Sequence, residues 1–293
     1  MMTPDCQPAR DGGVSCNAWL DAIVCGDCTE EMRKMPDESV DMIFTDPPFN
    51  VGKRYGAKHN DRKINYREWC AEWIAECFRL LKPTGTIYLM TIPRHLEWKM
   101  PLMAQCGIFI SLVQWQNSSS SNDKRRFWSA SQPIMVYGKT ERYKFHRYAE
   151  TRPLAKSSWN KDRAKREKGQ LLDLWSDIPR VYSGNIIHKE AVLIPGTHKK
   201  AHPCQMPIGL PARAIRFSSD EGDVVLDPFG GSGSTAVAAK QLNRRYIVME
   251  MNQQHIELTK ARLSASNAGG QARESDERCP APTGSTSADE RKI

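Results

Sequence analysis

No stretch of this 293-residue chain approaches the roughly 18 consecutive apolar residues that span a membrane, although hydrophobic residues make up 40% of it. The first residues, MMTPDCQPARDGG, lack an apolar core, which argues against a secretory leader and for a cytoplasmic protein. Cysteines number nine, an odd and irregularly spaced set. Cys25 and Cys28 form one CxxC, but no second pair and no His pair lies at zinc spacing, so free thiols in a reducing compartment are expected and no metal. There is no internal repeat, no phosphate loop ending in GK[ST] and no spaced GxGxxG.

Charge excess is also missing from most of the chain. The net charge is +8, yet residues 123–168 alone hold 14 Lys or Arg against 5 Asp or Glu, and the remainder is near neutral. A charge run is often only a solvated face. This one is interleaved with Phe127, Trp128, Tyr137, Tyr143, Phe145, Tyr148 and Trp159, and basic plus aromatic residues suit phosphate contacts and base stacking. Lys124, Arg125, Arg126, Lys139, Arg142, Lys144 and Arg147 are the candidate DNA contacts.

What is present reads as one α/β domain with an insertion. Apolar strands are expected at 22–25, 40–45, 86–90, 108–115, 133–138, 224–226 and 246–250. Helices are expected at 29–35, 66–81, 94–105, 207–218, 233–241 and 252–264, with Lys82-Pro83-Thr84-Gly85 stopping the second. Trp69, Trp73 and Trp175 read as core. The expected organisation is a lead-in at 1–18, one half-domain at 19–138, a weakly periodic recognition region at 139–200, a second half at 201–264 and a disordered tail at 265–293.

Two strings carry chemistry. In Val225-Leu226-Asp227-Pro228-Phe229-Gly230-Gly231-Ser232-Gly233-Ser234-Thr235 a strand ends in an acid, three glycines follow and a helix begins. Glycines let the chain turn tightly and let a ligand approach the backbone. The next strand ends in Glu250, an acid placed to hold ribose hydroxyls, although an ordinary turn with a surface Glu has the same pattern. Asp46-Pro47-Pro48-Phe49 also follows an apolar strand. Its prolines have no N–H to donate. What remains is a pair of acceptors, the Asp46 carboxylate and the Pro47 carbonyl, suited to the two hydrogens of an exocyclic amine, with Phe49 as a stacking face for a flipped base. Taken alone, the string is also a plain proline turn.

TDPPFN (45–50), DPFGGSGST (227–235), VMEMN (248–252), CGDC (25–28) and HPCQMPIGLPARAI (202–215) together resemble the S-adenosylmethionine (SAM)-dependent amino-methyltransferases of DNA. The order, DPPF first and the glycine turn last, is similar to their β-class arrangement, over about residues 20–264. The resemblance implies a Rossmann-like α/β fold with a circularly permuted, seven-stranded mixed sheet, helices on both faces and an inserted target-recognition region. It implies SAM as cofactor, double-stranded DNA as substrate and a homodimer typical of that class. Asp46, Pro47, Pro48 and Phe49 would hold the target base. Asp227, Phe229, Gly231, Gly233 and Ser234 would line the SAM pocket, Asp27 would contact adenine and Glu250 ribose, and Gln205 and Pro207 would approach the methionine end. One departure is Met206, where Lys is frequent. Asp in first position of the DPPF string resembles adenine-N6 enzymes, whereas cytosine-N4 enzymes usually carry Ser there. The rival readings are a cytosine-N4 enzyme, an RNA or protein-amide methylase of the same fold, and a DNA-binding module with a decayed site.

Overall fold

The central strands of the main sheet alternate between two buried faces, and this alternation sets the layers. In β2 (Val40–Thr45), Ile43 points into one core with Ile87 and Leu89, while Met42 and Phe44 point into the other with Tyr88 and Met90. All six β2 side chains are buried, as expected of a central parallel strand covered on both sides. The computed structural model describes residues 19–53, 60–117, 125, 127, 129–153, 168–181, 190–194, 198 and 200–268. Expectations for 1–18, 269–293, Lys124 and Arg126 lie outside them.

Among those residues the sheet has eight strands, in the order β1-β10-β9-β2-β3-β5-β4-β8. These are β1 (Ala22–Cys25), β2, β3 (Leu81–Met90), β4 (Ile108–Gln116), β5 (Ser131–Gly138), β8 (Leu174–Trp175), β9 (Val224–Asp227) and β10 (Arg245–Glu250). β1, β10, β9, β2 and β3 run parallel, and β5 is antiparallel to β3 and β4. Helices α1 (Cys28–Arg33), α2 (Tyr66–Leu80) and α3 (Leu96–Ala104) cover one face, and α4 (Gly209–Ser218) and α5 (Ser234–Gln241) the other. α6 (Gln253–Ala268) closes the β10 end through Ile256 and Leu263. A separate pair, β6 (Thr151–Pro153) and β7 (Lys168–Gln170), lies in the expected recognition region. Among the described residues no helix is long and apolar enough to cross a membrane, and no group of three metal-ligating side chains is assembled.

Three expectations need correction. Lys82–Gly85 ends the helix as expected but is not a loop before the strand: α2 stops at Leu80, β3 opens at Leu81, and 82–85 bulge out of register against β2. Pro83 disfavours helix at Lys82, and Leu81, fully buried, is satisfied only by entering the sheet. α6 continues to Ala268, beyond the expected 264. The region 139–200 is not wholly an insertion. β8 adds an eighth strand beyond the seven expected, and Trp175, 5% exposed, packs in the core beneath the Arg213 guanidinium. Arg213 in turn bonds Asp177 and Glu150, tying both ends of the region to α4.

Trp175→Ala is expected to cost about 3 kcal/mol of unfolding free energy in urea, the usual scale for emptying a core indole site. An unchanged midpoint would place 171–178 outside the scaffold.

Candidate active site

Four parallel strands, β1, β10, β9 and β2, end along one edge of the sheet, and their last residues or next turns carry acids: Asp27, Glu250, Asp227 and Asp46. Open α/β sheets hold ligands at this carboxyl edge. A cavity of about 300 Å³ occupies it, lined by all four acids, by Pro47, Pro48 and Phe49, and by the glycine turn.

The glycine turn is built for close approach. Gly231 and Gly233 have φ of +52° and +77°, in the left-handed region. A Cβ on Gly230 would sit 1.8 Å from Val248 Cγ1, and one on Gly233 would sit 2.4 Å from Thr259 Cγ2. Asp227 fixes the turn from inside: its carboxylate accepts from the Phe229 N–H at 3.0 Å and the Thr235 hydroxyl at 2.6 Å. Phe229 is wedged edge-on against Trp69 and Trp73, at 5.6 and 5.2 Å between ring centroids. Trp73 is core as expected, whereas Trp69 reaches the cavity wall.

The other acids are held differently. Asp27 caps α1, accepting from the Thr29 and Glu30 N–H groups. Glu250 accepts from the Gly231 N–H at 3.0 Å and the Asn252 N–H at 2.8 Å. Burial pushes Glu250 up, but His255 and these N–H groups outweigh it and keep its carboxyl below the usual range. Asp46 has the opposite balance. Its Oδ1 is buried with no hydrogen-bond partner, and burial together with the Asp227 charge pushes it up to about 7, against the weaker pull of Lys53 and Lys99. Asp227 is also raised, to about 6, chiefly by burial. Its bonds to Thr235 and Phe229 make it the better-stabilised anion of the two.

Asp27, Asp46, Pro47, Pro48, Phe49, Asp227, Phe229, Gly231, Ser234 and Glu250 therefore share one cavity. Gln205, Pro207 and Gly233 are not in its wall. Gln205 is turned away: it donates to the Glu190 carbonyl and accepts from the Val192 N–H, pinning 190–192. From that string it is His202, Cys204 and Met206 that face the cavity, with His202 buried against His255.

The basic candidates are redistributed. Lys139 reaches the Leu81 carbonyl and Glu38, and Lys144 pairs with Asp220 and Asp223. These partners precede β2, β3 and β9, so both lysines brace the edge opposite the cavity. Arg147 bonds Gln170 and lies over Tyr148, and Arg142 is exposed on the same segment. Arg125 is exposed on the β4–β5 connection, which is on the cavity edge. The cavity mouth carries other cations that composition did not single out. Lys53, Arg62, Lys63, Arg94 and Lys200 form no ion pair among the described residues. Asn50, Arg62, Lys63 and Arg94 line an adjoining open recess. Their basic character was hidden because they are scattered through loops.

A fold with a glycine turn, a strand-end acid and an acceptor loop at one carboxyl edge defines a Rossmann-like SAM-dependent methyltransferase. The chain belongs to the N6/N4 DNA methylase family, whose model, described as "DNA methylase", matches residues 40–261. It is 30% identical over 262 residues to the type II methyltransferase M.HpaI of Haemophilus parainfluenzae, covering 88% of this chain and 79% of that one. It is 31% identical over 277 residues to the DNA adenine methyltransferase YhdJ of Escherichia coli K12, covering 91% and 88%. A SAM complex of TTHA0409 from Thermus thermophilus, a DNA modification methylase by name, superposes with a TM-score of 0.57 at 22% identity, over 84% of this chain and 94% of that one. The PvuII cytosine-N4-specific DNA methyltransferase superposes at 0.60 with 20% identity, over 82% and 85%. The cofactor is SAM, and the residues present fit it: the turn admits no Cβ, and the acid-rich wall suits a cationic ligand.

Asp46 takes up a proton on folding between about pH 4 and its raised value near 7, so its contribution destabilises the fold increasingly as pH rises through that window. Asp46→Asn is expected to flatten this slope and raise the urea midpoint at pH 8 relative to the parent protein, with little change at pH 4. Gly230→Ala is expected to abolish SAM binding in calorimetry, because Val248 blocks the Cβ.

Proposed function

We propose that this chain methylates the exocyclic N6 of adenine at specific sites in double-stranded DNA, acting on a flipped base. The observation that carries this reading is the buried, unbonded Oδ1 of Asp46 in an Asp-Pro-Pro-Phe loop beside the cofactor cavity. An unsatisfied buried acceptor is costly unless a donor arrives. An amino group supplies that donor. SAM supplies a methyl group already activated on a sulfonium, so the chain's task is to position and polarise the amine. Asp46 Oδ1 and the Pro47 carbonyl accept its two hydrogens, directing the nitrogen lone pair out of conjugation and toward the cavity. Phe49, in the cavity wall, offers a face to the extruded base. The proton lost after transfer passes first to Asp46, whose raised affinity suits it to receive one.

Adenine is favoured over cytosine by Asp at position 46 and by the adenine-specific name of one relative that spans most of the chain. The DNA face is assigned to the cavity mouth, where Lys53, Arg62, Lys63, Arg94 and Lys200 can reach phosphates. Lys139 and Lys144, engaged at the opposite edge, are left out of it.

Mass spectrometry and modified-base sequencing of DNA from cells expressing the protein should show N6-methyladenine at one short motif. N4-methylcytosine instead would replace the adenine reading. Asp46→Ala is expected to lower methyl transfer at least about 100-fold, the scale of losing one preorganised polar contact to a reacting group, with SAM affinity retained. Arg62→Ala with Lys63→Ala should weaken DNA binding and reduce the slope of log K against log salt by about one to two, whereas Lys139→Ala should leave that slope unchanged. The reverse pattern would move the DNA face to the other edge.

A further inference from the structure

Lys99 is fully buried, and none of the motifs accounts for it. It sits in α3 and forms no ion pair among the described residues. Its Nζ lies 3.5 Å from the Tyr66 hydroxyl, long for a hydrogen bond and chiefly a charge–dipole contact. That hydroxyl donates to the Pro48 carbonyl at 2.7 Å. The ammonium also lies 5.6 Å from the Tyr66 ring centroid and 5.4 Å from that of Trp98, at cation–π distance. A buried ammonium held only by ring faces and a phenol is expensive to keep charged, and Lys99 is lowered to about 8 by that burial. A methionine or leucine would fill the space at less cost.

We propose that Lys99 is a positioning residue for methyl transfer, holding the Asp-Pro-Pro-Phe loop through Tyr66 and presenting to the Asp46 carboxylate the buried positive charge it faces. The loop's prolines have no N–H with which to anchor themselves, so the Tyr66 bond to the Pro48 carbonyl fixes the loop from behind. Asp46 and Pro47 then remain in the cavity wall. Groups facing Asp46 are Asp227 from the end of β9, Lys53 from the following loop and Lys99 from α3. Those facing Lys99 are Cys70 and Tyr66 from α2, Asp46 itself, and His95 on the turn before α3. Of the two cations facing Asp46, Lys53 is only partly buried, so Lys99 is the one shielded from solvent and salt.

The inference rests on Asp46 being the amine acceptor, and the test separates the two claims. The Asp46 carboxyl is titrated by carbon NMR in the free protein, and single-turnover transfer is followed against pH at saturating SAM. Lys99→Met is expected to raise the Asp46 titration by about one unit or more, the usual effect of removing a nearby opposite charge. Transfer should fall about 5-fold or more at pH 7, following the ionised fraction of Asp46, recover toward the parent value near pH 9, and leave SAM affinity unchanged. Lys99→Arg should restore the titration in part. Tyr66→Phe should lower transfer at all pH values without moving the inflection. If Lys99→Met does not fold, Lys99→Gln serves in its place with the same expected shift. An unmoved Asp46 titration in a folded, uncharged variant overturns the proposal, even if transfer is lost. A titration that moves while the pH profile of transfer does not would leave Lys99 facing Asp46 but overturn the acceptor role of Asp46, and with it the positioning role.

Discussion

Two buried carboxylates at the ends of neighbouring strands, Asp46 after β2 and Asp227 closing β9, are the constraint around which this cleft is organised. In this low-dielectric crevice burial raises the proton affinity of both, and the Asp227 charge raises that of Asp46 further. The chain resolves the conflict by treating them differently. Asp227 is given an N–H and a hydroxyl, and these bonds shape the glycine turn. Asp46 is given no bond to Oδ1 among the described residues, only the charges of Lys53 and Lys99. The first acid builds the cofactor cradle, and the second is left with an unmet need for a donor. Folding stability is surrendered at Asp46, and in the proposed reading a substrate group restores it, a common arrangement at functional sites.

The parts of this design that depend on local chain chemistry were legible in the sequence. Asp-Pro-Pro has few conformations, and a glycine run between an apolar strand and an apolar helix has one main use, so both strings could be placed at strand ends. The seven main strands were readable because each is a short apolar run, and the central ones, such as β2, are buried on both faces. β8 was not: two residues, Leu174 and Trp175, carry no period, and they join the sheet only because Trp175 finds a core site under Arg213. The passage from α2 into β3 was likewise hidden, since buried Leu81 opens the strand and Lys-Pro-Thr-Gly then bulges out of its register with β2.

Among site residues, the sequence signal failed where a side chain's direction mattered. Gln205 lies in the expected string but turns to the 190–192 backbone, while its neighbours Cys204 and Met206 face the cavity. Lys139 and Lys144 belong to the richest basic segment, yet their positions after an antiparallel strand return them to the far edge of the sheet. Antiparallel β5 reverses the chain, so its end at Gly138 pairs with Thr86 of β3, near the edge opposite the cavity. Net charge by segment cannot register that reversal. Lys99 did leave a trace. It lies in Leu-Glu-Trp-Lys-Met-Pro-Leu-Met, where apolar residues surround the helix and leave little solvent face for a lysine.

The distribution of cations then acquires a physical sense. At the far edge, lysines neutralise acids that precede strands and cap exposed carbonyls, so they add to the formal charge without creating a field for a ligand. Around the cavity mouth the cations have no acidic partners among the described residues, and Lys200 is lowered by burial and by Arg180 and Lys53 beside it. Repulsion of this kind is a standing cost in the free protein, and a polyanion removes it on binding. The acids lie deep in the cleft and the unpaired cations at its rim, so the electrostatic gradient runs from a floor suited to a cationic cofactor to a mouth suited to phosphates. In the proposed reading, a base drawn from the duplex moves down that gradient as a neutral ring, and its amine meets Asp46 Oδ1, a floor acceptor with no hydrogen-bond partner among the described residues.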